Sequence, residues 1–84
     1  MNKMFWEQMN RFTNLERFKS LTEASRDSNI SQSTWSRDIN ELEKNFGFKL
    51  ITRKYNGVKF TEKGKDLLKI INNFKKNIDN LRGI

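Results

Sequence analysis

The run from Asn29 to Gly47, Asn-Ile-Ser-Gln-Ser-Thr-Trp-Ser-Arg-Asp-Ile-Asn-Glu-Leu-Glu-Lys-Asn-Phe-Gly, constrains the fold more than any other part of the chain. Asn tolerates left-handed backbone better than other non-glycine residues, so Asn29 reads as a tight turn. Ile30 then plugs a core, and Ser31 caps a helix by accepting a hydrogen bond from a first-turn N–H. Trp35, Ile39, Leu42 and Phe46 recur at intervals of four, three and four and define its buried face. Ser33, Ser36, Arg37 and Asn40 fall outside that face, and Gly47 suits the helix end. The first exposed side chains, Gln32, Ser33, Ser36 and Arg37, can all hydrogen-bond base edges or phosphates. A helix that reads DNA begins this way.

Charge narrows the partner. Seventeen Lys and Arg against ten Asp and Glu give a net +7, which favours nucleic acid or a membrane surface. No run approaches the roughly 18 to 20 apolar residues of a membrane span, and Met1 to Thr13 lacks the pattern of a signal peptide. A soluble, cytoplasmic chain without a membrane partner is therefore expected. Eighty-four residues make one small domain, near the size where dimerisation helps a single core. The sequence holds no Cys and no His, so metal, disulfide and cofactor chemistry have no support. Nor does it offer a paired acid and base, or a nucleophile with an orienting partner, and an enzyme is not expected.

Flanking elements follow from spacing. Phe5, Met9, Phe12 and Leu15 or Glu16, with Trp6, Phe18 and Leu21 beside them, predict an amphipathic core helix over residues 4 to 18. Ser20, with Glu23 three residues on, caps a second helix ending near Ser28. Past Gly47, Phe48 with Leu50-Ile51 and then Val58 with Phe60 form two short apolar pieces, and Asn56-Gly57 between them signals a hairpin whose turn residues take positive φ. That hairpin is a two-stranded wing. Residues 49 to 66 carry six basic and two acidic side chains, so +4 of the net charge lies in and just after it.

Thr61 caps the last helix, with Glu62 in its first turn. Leu67, Ile71, Phe74, Ile78 and Leu81 follow at four, three, four and three, the seam along which two helices pair. The expected architecture is mainly α: a winged helix-turn-helix of three helices and a two-stranded wing over residues 1 to 60, then a long dimerisation helix over 61 to 84. Homodimerisation is favoured over the alternative, in which this helix folds back on the first helix of its own chain.

This sequence resembles the N-terminal DNA-binding domain of the LysR-type transcriptional regulators. The likeness runs from about Phe12 to Gly64, through Ser20-Leu21-Thr22 with Ala24-Ser25, the Ser31-to-Arg37 segment, Ile39, Leu42-Glu43, Gly47, Leu50-Ile51 with Arg53, Gly57-Val58 and Phe60-Thr61. The resemblance implies a winged helix-turn-helix, a linker helix that pairs two subunits, and interrupted inverted repeats in bacterial promoters as targets. It implies that Gln32, Ser33, Ser36 and Arg37 approach the major groove, with Arg53 and the wing near the backbone or minor groove. Three departures stand out. Lys19 replaces a usual glycine, Ser28 replaces a large aliphatic residue, and Trp35 replaces a smaller one and could fill the volume that Ser28 leaves. The family's larger effector-binding domain has no counterpart in these residues, so no small-molecule effector is expected to bind within them. That leaves open an excised domain or a stand-alone regulator.

The candidate recognition residues are thus Ser31, Gln32, Ser33, Thr34, Ser36, Arg37 and Asn40; those of the wing are Arg53, Lys54, Tyr55, Asn56 and Lys59; those of the dimer seam are Leu67, Ile71, Phe74, Ile78 and Leu81. Arg37 suits a bidentate guanine contact, against a surface ion pair with Glu41. Gln32 either reads adenine or caps the helix and meets phosphate. Ser33 and Ser36 suit phosphate, as do Arg53, Lys54 and Lys59. Tyr55 is a wing-tip contact or strand packing, and Asp38 and Glu41 form a solvated flank. The leading function is a sequence-specific regulator that binds double-stranded DNA as a homodimer; promoter occlusion, hence repression, is the more economical mode if the chain stands alone. The alternative is a winged-helix protein-interaction module with only non-specific DNA affinity.

Overall fold

The computed structural model describes residues 2–54 and 57–83. Helix α1 spans Lys3–Leu15, and Phe5 N–H donates to Asn2 Oδ1 at 2.7 Å to cap it. It stops three residues short of the predicted residue 18. Glu16, Arg17 and Phe18 N–H turn to the carbonyls of Thr13, Asn14 and Leu15, three residues back, and these tighter bonds unwind the helix. Phe18 is thereby brought edge-on to Trp35, with ring centroids 6.1 Å apart.

Helix α2 (Leu21–Ser28) opens with Glu23 N–H on Ser20 Oγ at 3.0 Å and closes at Asn29, φ 60° and ψ 24°, left-handed as its residue type allows. Helix α3 (Gln32–Phe46) is capped by Ser31 Oγ, which accepts from Thr34 N–H, and ends at Gly47 with φ 82°. Trp35, Ile39 and Leu42 are buried and Phe46 is half-buried.

The wing is antiparallel, with β1 (Ile51–Lys54) against β2 (Gly57–Phe60) and Ile51 opposite Phe60, Lys54 opposite Gly57. The predicted turn needs correction at one residue. Gly57 already lies in β2, paired with Lys54, while Tyr55 and Asn56 fall outside the described residues. Glycine is needed there for room, because a Cβ would stand 2.7 Å from the Lys19 carbonyl oxygen, which accepts from the adjacent Val58 N–H. Phe48 joins neither strand; its ring stacks on Phe46 at the surface.

Helix α4 (Glu62–Leu81) starts where Gly64 N–H donates to Thr61 Oγ1 at 3.0 Å and Thr61 Oγ1 donates to Lys49 O at 2.8 Å. Any Cβ on Gly64 would overlap the Leu50 carbonyl oxygen, so this contact holds helix and wing root together only with glycine. Phe12, Leu15, Ala24, Trp35, Ile39, Leu42 and Leu50 form the fully enclosed centre of the core. Leu67, Leu68 and Ile71 close it from α4.

The α4 stripe therefore divides. Leu67 and Ile71, read from sequence as seam residues, are buried inside their own chain, because the small three-helix core needs a fourth wall. Phe74 sits edge-on to Trp6 at 5.5 Å yet stays half-exposed, and Lys75 Nζ donates to Asn10 Oδ1. Beyond them Ile78 and Leu81 are exposed, as is Ile70. No helix among the described residues is long and apolar enough to cross a membrane.

Candidate nucleic-acid interface

The buried face of α3 determines which side chains remain for a ligand. With Trp35, Asp38, Ile39, Leu42 and Glu43 turned inward, Gln32, Ser33, Arg37 and Asn40 are exposed and Ser36 is partly so. Ser33, Arg37 and Asn40 lie four and three residues apart, hence on one side of the helix. Ser31 and Thr34 stand differently. Ser31 Oγ receives Thr34 N–H and lies 2.8 Å from Thr34 Oγ1 and 3.1 Å from Ser33 Oγ, so these hydroxyls close the helix tip on itself.

Arg37 makes no ion pair with Glu41. Glu41 instead accepts from Gln8 Nε2 of α1, and the carboxylate near Arg37 is Asp38, with Oδ1 3.7 Å from Arg37 Nη2. The solvated flank expected at Asp38 and Glu41 is not found. Asp38 is buried and its Oδ2 lies 3.0 Å from Arg11 Nη1, a charge-assisted contact across to α1. Both carboxylates are thus engaged by α1, with Asp38 Oδ1 also near Arg37, and Arg37 carries the positive charge of the exposed row.

The wing meets α3 through side chains. Arg53 Nη1 donates to Ser36 Oγ at 3.1 Å, bringing a residue from each predicted group into contact. Arg53, Lys54 and Lys59 are exposed on the strands, and Tyr55 and Asn56 lie outside the described residues. Arg53, Lys54, Gly57 and Val58 form one wall of a cleft of about 430 Å³ whose other walls are Gln32 at the tip of α3 and Ser20, Leu21 and Thr22 at the start of α2. The first N–H groups of a helix lack intrahelical acceptors and attract anions. A basic wing thus faces a helix N-terminus across one groove.

The wing root is held by a residue that composition alone does not reveal. Glu43 Oε2 accepts from Leu50 N–H at 2.8 Å and Ile51 N–H at 3.3 Å, with Lys49 Nζ 3.6 Å from its other oxygen. The end of α3 thereby anchors the start of β1 at a fixed distance. No group of three or more His, Cys, Asp or Glu that could hold a metal occurs among the described residues.

The family of bacterial regulatory helix-turn-helix proteins designated lysR matches residues 6–65, well over half of the chain. The chain belongs to the LysR family. Over 51 residues, 61% of its length, it is 47% identical to the HTH-type transcriptional regulator MetR of Buchnera aphidicola subsp. Schizaphis graminum (strain Sg), of which it spans 16%. Its fold is similar to that of AphB, the Vibrio cholerae virulence activator and a member of the LTTR protein family, with a TM-score of 0.78 and 22% identity over 93% of this chain and 27% of that one. It is also similar to the BenM DBD in its complex with catB site 1 DNA: TM-score 0.77 and 26% identity over 92% of this chain and 86% of that one.

This LysR-family chain is therefore a winged helix-turn-helix DNA-binding domain of the transcription-regulator type and not an enzyme. Sequence reasoning identified the row on α3 from periodicity, but it missed the start of α2 as a wall of the cleft. The signal was there in Ser20, whose capping role leaves Leu21 and Thr22 in the first turn. Glu43 gave a weaker signal: it stands one position from the apolar stripe, and its backbone donors lie seven and eight residues on.

Proposed function

We propose that this domain reads double-stranded DNA sequence as a homodimer, with α3 in the major groove, the wing on the backbone, and two half-sites forming an inverted repeat. The observation that carries the reading is the exposed row Gln32, Ser33, Arg37 and Asn40, neutral amides and a hydroxyl around one guanidinium, beside the basic wing. Amides and guanidinium groups make bidentate contacts with base edges, while Lys54, Lys59 and Arg53 supply the sequence-independent attraction to phosphate. Arg37 would take guanine O6 and N7; Gln32 and Asn40 suit adenine or phosphate.

The dimer reading rests on the outer half of α4. Ile70, Phe74, Ile78 and Leu81 expose apolar side chains along α4, the last two beyond its buried residues. A second copy of α4 covers them with twofold symmetry, and the DNA half-sites inherit that symmetry with centres about 34 Å apart. Steric occlusion of a promoter, hence repression, needs nothing beyond these parts.

Fluorescence-anisotropy titrations with a duplex recovered by selection from a random library, and with a shuffled duplex, test the reading. Tighter binding to the selected duplex that survives rising salt is expected. Equal affinities that vanish together with salt would instead point to a protein-interaction module with non-specific DNA affinity.

A further inference from the structure

Four residues outside the exposed row hold α3 at both ends of its most important pair of side chains. Ser28 Oγ accepts two hydrogen bonds, from Trp35 Nε1 at 3.1 Å and from Ile30 N–H at 3.2 Å. A hydroxyl oxygen has two acceptor lone pairs, so both are used. One bond spans the turn through left-handed Asn29 and the other reaches α3 itself. Trp35 is almost fully buried, and the Arg11 guanidinium lies over its indole, 5.7 Å from the centroid. Arg11 also pairs with Asp38 at 3.0 Å. Trp35 and Asp38 bracket Ser36 and Arg37 in sequence.

The geometry points to a positioning device: Ser28, Trp35, Arg11 and Asp38 set the rotation of α3 about its own axis, so that discrimination between DNA sequences depends on side chains that do not reach the DNA. This rests on the proposal that α3 reads base edges. Apolar packing tolerates small rotations, losing uniqueness before stability. Hydrogen bonds and ion pairs are directional and do not. The leverage is large. With backbone atoms about 2.3 Å from the helix axis and an extended arginine reaching roughly 7 Å further, a turn of about 10° moves the guanidinium by about 1.6 Å. A bidentate base contact fails at that error, whereas a phosphate contact re-forms on a neighbouring oxygen. Asp38 Oδ1, at 3.7 Å from Arg37 Nη2, adds a weak pull that orients Arg37 without capturing it.

Ser28→Ala, Trp35→Phe and the double variant test the device against wild type. Affinity for the selected duplex is compared with affinity for the shuffled one, and urea unfolding is followed in parallel. Each single variant is expected to keep its affinity for the shuffled duplex and to lose about tenfold in discrimination, the scale of one mispaired base contact. The double variant should lose less than the product of the two single losses, because both remove the shared Trp35–Ser28 bond, while Ser28→Ala alone also removes the acceptor of Ile30 N–H. Unchanged discrimination, losses that multiply in the double variant, or equal weakening on both duplexes in step with stability would overturn the inference. If wild type itself does not discriminate, the failure lies with the reading of α3.

Discussion

Arg53 Nη1 of the wing and Ser36 Oγ of α3 are joined by a hydrogen bond of 3.1 Å, so the two halves of the interface meet before any ligand arrives. A phosphate can replace Ser36 as the acceptor, and the charge-assisted bond to it is the stronger. Arg53→Ala should therefore weaken binding to selected and shuffled duplexes alike and lower the slope of log K against log salt by about 1. Ser36→Ala should leave affinity for the shuffled duplex within about twofold. Anisotropy across a salt series separates the two.

Asp38→Ala leaves Arg11 without its carboxylate in a mostly buried site. The expected loss is about 2 to 3 kcal/mol of folding stability, below the roughly 3 to 5 kcal/mol of a fully buried pair because Arg11 keeps some solvent contact. A solvated Asp38 would cost less than about 0.5 kcal/mol. The urea midpoint distinguishes them.

Glu43→Ala orphans two backbone donors, Leu50 N–H and Ile51 N–H, at a buried strand start. At roughly 1 to 3 kcal/mol for each unsatisfied group, a loss of about 2 to 4 kcal/mol is expected, offset in part if water enters. Amide hydrogen exchange should show the loss first at residues 50 and 51.

Local chemistry explains what was legible in the sequence. The caps at Ser20, Ser31 and Thr61 each bond an N–H three residues on, and Asn29 takes the left-handed geometry that its residue type tolerates. Residue order suffices for such features. Arg11 with Asp38, Gln8 with Glu41 and Glu43 with the wing root are contacts between separate elements, so Asp38 and Glu41, which read as a solvated flank, are structural, as is Glu43. Leu67 and Ile71 went astray for a related reason: a heptad spacing fits a helix packed on its own domain as well as one packed on a partner. Ser28 and Trp35 are the opposite case. Read from the resemblance as two separate departures, they are joined seven residues apart by one hydrogen bond.

A double substitution, Ile78→Lys with Leu81→Lys, should leave folding nearly unchanged, since both side chains are exposed in the single chain. In sedimentation it should convert a dimer to a monomer, and affinity for a two-half-site duplex should fall at least tenfold as the avidity of paired binding is lost. A wild-type chain that sediments as a monomer at every concentration would contradict the α4 pairing.

Selection from a random duplex library, run in parallel with the wild-type chain and with Arg37→Ala, most directly tests the claim that α3 reads DNA sequence. Wild type should enrich an inverted repeat with a guanine in each half-site, and Arg37→Ala should lose or relax that one position while keeping the rest. Identical enriched sequences from the two proteins, or none from the wild type, would contradict it.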